Sequence, residues 1–225
     1  LEAHGLSAEA VQGICITHTH TDHIKGLRVF LNQHPVPVYG TAETLAQLRA
    51  LDKFPQSTDL REILPAETIH TDTAAVTAFA TMHDAPGSCG YRFELSDGQT
   101  CAVCTDLGCV TPEVKKGVYG ADLVLLEANY DPNMLRNGPY PEMLQERIRG
   151  KYGHLSNGDS AGMAEALIAH GTTRLILGHL SENNNTMPLA QQTVLEHLQE
   201  QGMRRNQDFL LQVSSPEGLK QAVIF

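Results

Sequence analysis

Residues 13–27 read Gly13-Ile14-Cys15-Ile16-Thr17-His18-Thr19-His20-Thr21-Asp22-His23-Ile24-Lys25-Gly26-Leu27. The first five form an apolar, β-rich run, and the last four open a helical pattern. Between them lies His18-x-His20-x-Asp22-His23, three imidazoles and a carboxylate within six residues. These are the side chains that suit zinc and neighbouring divalent ions. A strand end and a helix start aim adjacent side chains in different directions, so one short loop can serve two metals. His18 and His20 are expected to face one way, Asp22 and His23 the other. A plain polar loop is the competing reading, and the density of ligand types weighs against it.

Such a site needs ligands from other strand ends, and three stand in matching places. His83 follows an apolar run at 75–82, Asp106 follows 100–105, and His179 follows 174–178. Each is the first strong ligand type past its strand, and functional residues cluster on loops at one edge of a sheet. Other strands are expected at 13–17, 36–39, 89–95, 122–127, 209–213 and 220–225. Helices are expected at 24–32, 42–51, 112–119, 131–137, 141–151, 158–170 and 188–201. Ser156 with Asp159 three residues on reads as a variant capping box. Pro188 fits the first turn of the last helix, and Ser96-Asp97-Gly98 reads as a hairpin turn.

The chain has 225 residues, the size of one domain, and 41% are apolar, ordinary for a globular protein. Its formal charge of −10 excludes a surface that is everywhere attractive to nucleic acid, but not a basic strip beside metals. No apolar run approaches the roughly 18 residues of a transmembrane helix, so no membrane partner is expected. Five cysteines, an odd number without framework spacing, point to a reducing compartment, the cytoplasm. Cys101 and Cys104 form a C-x-x-C, but three apart on a strand they face opposite sides, which does not build a thiol site. His4, His34, His70, His170 and His197 stand in no pattern and read as surface or capping residues.

The ligand series His18-x-His20-x-Asp22-His23, His83, Asp106, His179 resembles that of the metallo-β-lactamase superfamily in type, order and approximate spacing. The resemblance implies an α/β fold, a four-layer αββα sandwich with two divalent metal ions at one edge. Carried over, His18, His20 and His83 hold one ion, Asp22, His23 and His179 hold the other, and Asp106 bridges them. Zinc suits the set best, and manganese or iron would also be accepted. An Asp bridge resembles the hydrolase and nuclease branches. Local segments THTHTDHIKGL (17–27), NYDPNMLRNGPYP (129–141), GHLSN (153–157) and LGHLSENNN (177–185), with His83-Asp84-Ala85, are similar to the YycJ/WalJ-type, exonuclease-like branch. That branch opens with a hairpin carrying Ser-Gly-Ser-type residues and a strand ending in Asp. Here 17 residues precede His18 and carry neither. The expectation is one domain over 1–225, N-terminally incomplete and lacking the first strands.

The resemblance implies a dinuclear hydrolase that uses a metal-bridging hydroxide on a phosphodiester, with DNA as substrate. Two divalent ions about 3.5–4 Å apart bring water's pKa toward 7 and neutralise charge growing on a phosphoryl oxygen. The segment 136–154 supports phosphate: Arg136, Arg147, Arg149 and Lys151 outnumber Glu142 and Glu146, leaving +2 in an acidic chain. A solvated helix face explains the same charges. Arg147, Arg149 and Ser156 are candidate phosphate contacts, the last because it stands at an expected helix N-terminus. His154 is the candidate general acid to the leaving oxygen, and Asp22 and Asp84 are further catalytic candidates. Asp84 would orient His83, protonate a leaving group, or cap a turn. Glu127 and Asn129 read either as partners of ligand imidazoles or as ordinary strand-end polarity. Asn183–Asn185 shape the pocket or form a turn. The alternative function is a metallohydrolase of small acyl substrates, a lactone or thioester. A diiron oxygen-reducing relative would carry a different first loop, with an acidic residue among its metal ligands, and a flavin-binding partner domain, and the pattern His18-x-His20-x-Asp22-His23 and a one-domain chain weigh against that reading.

Overall fold

The computed structural model describes residues 5–215. Strands β1 (Ile14–Cys15), β2 (Val38–Gly40) and β3 (Leu60–Glu62) form a small parallel sheet in that order. A seven-stranded sheet holds β4 (Thr68–His70), β5 (Ala74–Ala80), β6 (Cys89–Leu95), β7 (Thr100–Cys104), β8 (Leu123–Glu127), β9 (Arg174–Gly178) and β10 (Leu210–Val213). Strands β4 to β7 are an antiparallel meander, and β7 to β10 run parallel. Hence β5, β7, β8, β9 and β10 all point the same way, and their C-terminal ends share one edge.

The helices are α1 (Thr21–Ile24), α2 (Leu27–Gln33), α3 (Ala42–Leu51), α4 (Pro112–Val118), α5 (Pro132–Asn137), α6 (Glu142–Arg149), α7 (Asn157–Ala169) and α8 (Met187–Glu200). Buried apolar residues fall into three clusters, and each is the contact between two layers. The first packs Phe79, Cys104, Val124, Leu126 and Leu177 of the large sheet against Val114, Leu167 and Val194 of α4, α7 and α8. The second packs Ile16 and Val38 of the small sheet against Ile24, Leu31, Leu45 and Leu48. The third joins the two sheets through Ile63, Val76, Ala78, Cys89 and Tyr91. Three such contacts stack four layers, helix–sheet–sheet–helix. Strand alternation explains the sorting: Val76 and Ala78 face the small sheet, while Phe79 on the same strand faces α4. The sheets are also tied by backbone, with the Tyr91 hydroxyl donating to the Ile16 carbonyl at 2.8 Å and Cys89 N donating to Thr17 O at 3.1 Å.

Several expectations need correction. The helix read at 24–32 is two helices: α1 begins inside the histidine loop at Thr21, and the chain breaks at Lys25-Gly26 before α2. Strands β3 and β4 were not legible, because both are three residues long and mostly exposed, with no apolar alternation. The strand read at 220–225 and His4 lie outside the described residues. The capping box at Ser156 is present with both of its hydrogen bonds, and Pro188 sits in the first turn of α8. Cys104 is buried and Cys101 half-exposed, as opposite strand faces require.

Candidate metal centre

The ligand-type residues gather at the shared edge. The 18–23 loop leaves β1, His83 follows β5, Asp106 follows β7, Glu127 ends β8, and His179 follows β9. Asp106 and His179 both adopt left-handed backbone, at φ 59° and 55°. Non-glycine residues hold that conformation at a cost and cluster at functional sites. Here it turns each side chain back across the end of its strand.

Five imidazoles are held by Nδ1, and four of them, His18, His23, His83 and His179, turn Nε2 to the centre. Thr17 Oγ1 lies 3.1 Å from His18 Nδ1 and 3.3 Å from His23 Nδ1. His83 Nδ1 donates to the Gly153 carbonyl at 3.1 Å. His154 and His179 Nδ1 both donate to Glu127 Oε1, at 2.8 and 2.9 Å. Asp106 is the hub of the Nε2 atoms. Its Oδ1 is 4.0 Å from His18, 3.7 Å from His83 and 3.4 Å from His179, and its Oδ2 is 3.3 Å from His23. His20 is turned the other way, with Nδ1 3.2 Å from His83 Nε2. Asp22 Oδ2 closes the outer side, 3.4 Å from His23 Nε2 and 3.5 Å from His179 Nε2.

The donor set fits cations. His18 Nε2 and Asp106 Oδ2 are buried without a hydrogen-bond partner, a costly state that a coordinated ion would relieve. The ligand atoms of His18, His20 and His83 lie within 4.8 Å of one another, and so do those of Asp22, His23 and His179. Between these groups, His18, His23 and Asp106 form a third such set. The sequence reading aimed His18 away from His23. Instead their rings sit 4.1 Å apart, because one threonine holds both. Burial, and then the neighbouring imidazoles of His23, His83 and His20, push the His18 pKa down to about 2, keeping the ring neutral as a metal ligand must be.

Glu127 is fully buried, and its oxygens accept from Asp106 N, Leu107 N, Leu155 N and the two imidazoles. Burial works against its charge, but the His154 and His179 hydrogen bonds outweigh it and bring the pKa to about 2. Its oxygens take up five donors, and one of them also lies within 4.8 Å of ligand atoms of Asp106, His154 and His179. A carboxylate only accepts, so His154 and His179 each keep a proton on Nδ1, and His179 turns Nε2 to Asp106 and Asp22. In the metal-free chain burial opposes a second proton on His179, but Asp22 and Glu127 outweigh it and raise the pKa to about 11.

A family model described as Beta-lactamase superfamily domain matches residues 2–180. The chain belongs to the metallo-β-lactamase superfamily. It is 33% identical over 214 residues to exodeoxyribonuclease YycJ of Bacillus anthracis, covering 94% of this chain and 80% of that protein. It is 32% identical over 212 residues to exodeoxyribonuclease WalJ of Streptococcus pneumoniae, covering 93% and 78%. Among solved structures, Zn(2+)-bound PqqB from Methylobacterium extorquens superposes with a TM-score of 0.66 at 20% identity, over 92% of this chain and 72% of that one. The metallo-β-lactamase fold protein YhfI from Bacillus subtilis does so with 0.66 at 18%, over 96% and 79%.

In this superfamily member a cavity of about 640 Å³ opens on the ligands, lined by His20, Asp22, His23, Asp84, Arg147, His154 and His179 among others. Arg147 Nε donates to Asp84 Oδ2, and Asp84 Oδ1 lies 3.4 Å from His83 Nε2 and 3.6 Å from His20 Nε2. Burial opposes the Asp84 charge, but the Arg147 bond outweighs it and holds the carboxyl below the usual range. Asp84 is thus tied to two imidazoles and Arg147, the arrangement of a group that orients His83. Arg149 is not in this cavity. It pairs with Glu146 at 3.6 Å and lines a separate cleft of about 110 Å³, because two residues along a helix face different sides. Ser156 does not line the cavity either. It is buried, and its hydroxyl serves the cap of α7, taken up by Asp159.

Asn129 donates to the His179 carbonyl at 2.8 Å, so it braces the ligand loop. Asn183 lines the cavity, while Asn185 is buried against Asn157. Thr17 and Gly153 were missed. A Cβ at Gly153 would collide with the Ile148 carbonyl, so only glycine lets this turn bring its own carbonyl to His83. Nothing in a lone threonine or glycine signals such a role in sequence. Among the described residues no helix is long and apolar enough to cross a membrane.

Proposed function

We propose that this chain is a dinuclear metal-dependent phosphodiesterase, an exonuclease acting on DNA, built as one domain. One observation carries the reading: imidazole nitrogens and the Asp22 and Asp106 carboxylates converge on one centre at the floor of the cavity, with His18 Nε2 and Asp106 Oδ2 buried and without a hydrogen-bond partner. His18, His20 and His83 would hold one cation, Asp22, His23 and His179 the second, with Asp106 between them. Zinc matches the nitrogen-rich set, and manganese or iron is compatible. When bound, such ions supply an acidified water and neutralise charge on the phosphoryl group. The similarity to two exodeoxyribonucleases over most of their length supports DNA as the substrate.

The protein's own groups complete the chemistry. Glu127 keeps the proton on His154 Nδ1 and compensates the charge of a second proton at Nε2. Nε2 is thereby the atom to protonate the departing oxygen. Arg147 offers its guanidinium to the substrate phosphate from the cavity wall, with Asp84 holding its Nε. Asp22 is the ligand nearest solvent, its side chain 66% exposed, and stands where substrate enters. Five unpaired cysteines favour the cytoplasm.

The test is metal analysis of the purified chain beside hydrolysis of end-labelled DNA, with Asp106→Ala as control. Two metals per chain, with both metal and cleavage lost in the variant, are expected. Two metals without cleavage of DNA or of bis-p-nitrophenyl phosphate would overturn the phosphodiesterase reading in favour of an acyl substrate.

A further inference from the structure

We propose that Tyr140, Leu144, Ile148 and Leu180 form a nucleobase platform beside the metal ligands, and that the substrate end entering the cavity carries an unpaired base. This rests on the phosphodiesterase reading above and names the part of the strand that enters.

The argument begins with α6. It has eight residues and none is buried. Leu144 and Ile148, one turn apart, are half-buried and share a helix face, yet they belong to none of the three cores. They line the cavity instead, together with Tyr140, just ahead of the helix, and Leu180, just after His179. The helix therefore turns its apolar stripe to the metal centre and leaves Met143, 84% exposed, on its outer side. Arg147, between Leu144 and Ile148 in sequence, reaches the same cavity. The Tyr140 hydroxyl accepts from Asn183 Nδ2 at 2.9 Å, which fixes the ring.

A phosphate gains nothing from such side chains, and a cavity meant only for water and ions has no need of them. A nucleotide matches both halves of the wall: an anionic phosphate for Arg147 and the ligands, and an apolar base face for the tyrosine, leucines and isoleucine. About 640 Å³ gives room for one or two nucleotides beside the ligands. The innermost ligands Asp106 and His83 are buried, so the scissile phosphate must come in, and a paired base would bring its opposite strand with it. The end nucleotide therefore enters unpaired.

The experiment measures cleavage, by the full chain loaded with Mn²⁺, of DNA carrying either a normal or an abasic terminal nucleotide, on matched and on mismatched duplex ends. Binding of phosphorothioate versions is followed by fluorescence anisotropy. The expected result is that the abasic end binds about tenfold more weakly and is cut correspondingly slowly, and that mismatched ends are preferred. Leu144→Asn with Ile148→Asn should abolish the discrimination, and Tyr140→Leu should keep most of it. Normal and abasic ends cut equally well would overturn the platform while leaving the phosphodiesterase reading intact. A metal-loaded chain that cuts no DNA would overturn both. The substrate comparison needs no variant, so it stands even if a substitution unfolds the chain.

Discussion

Glu127 Oε1 accepts the Nδ1 proton of His154 at 2.8 Å, and this part-buried bond ties the loop after α6 to the end of β8. The same carboxylate takes backbone donors from Asp106, Leu107 and Leu155. Glu127→Gln keeps the shape but turns one oxygen into a donor facing donors. Each unmade buried bond costs about 1–3 kcal/mol. A fall in Tm of about 5–10 °C is expected by calorimetry for a chain this size. Metal affinity or activity should drop about 10- to 100-fold, because the imidazoles lose their orientation.

Proton release should accompany metal loading. His179 in the metal-free chain is held protonated, its pKa raised against burial to about 11 by Asp22 and Glu127. A raised folded-state pKa stabilises the metal-free fold fully below the ordinary value of 6.5, and that stability is lost as pH rises through about 11. A cation that takes His179 Nε2 must displace the proton. Titration calorimetry at pH 8 in buffers of different ionisation enthalpy should show at least about one proton released per chain. Affinity should weaken as pH falls. Buffer-independent enthalpies would contradict this.

Asn157 and Asn185 exchange side-chain hydrogen bonds of 3.0 and 2.8 Å while buried, and Asn185 also donates to the Ala128 carbonyl at 2.8 Å. The pair fastens the start of α7, just after His154, to the turn after His179. Alanine at either position is expected to cost about 2–3 kcal/mol in urea unfolding. The double variant should cost less than the two together, by about 1 kcal/mol or more, since one clasp is lost only once.

The thiols of Cys15 and Cys89 are pushed up by burial, to about 12 and about 11, and Cys104 is raised the same way. At pH 8 less than about one part in a thousand is thiolate, the reactive form. Iodoacetamide on the native chain should leave these three unlabelled, while unfolding in urea exposes all five cysteines. Peptide mass mapping distinguishes the outcomes.

The order of ligand types was legible because each part of the signal is local. His18, His20, Asp22, His23, His83, Asp106 and His179 each follow an apolar run, and a strand end exposes the next side chain whatever lies beside it. The capping box at Ser156 was legible for the same reason, while its reading as a phosphate contact failed because the cap consumes the hydroxyl. Arg147 and Arg149 look equivalent in sequence, and only the helix turn sends one to the cavity and the other to Glu146.

The run of ligand-type residues and the strand ends that carry it could be read from the chain alone, since spacing and apolar period are properties of neighbouring residues, while the four-layer class came only through the family resemblance those residues carry. The tertiary structure alone decided which groups meet. Thr17 behind two imidazoles, Glu127 as acceptor from residues 20 to 52 positions away, and the apolar face of α6 turned to the cavity instead of a core depend on contacts between distant segments. Such contacts form only when burial brings the sheets and loops together, and no local pattern of residues encodes them.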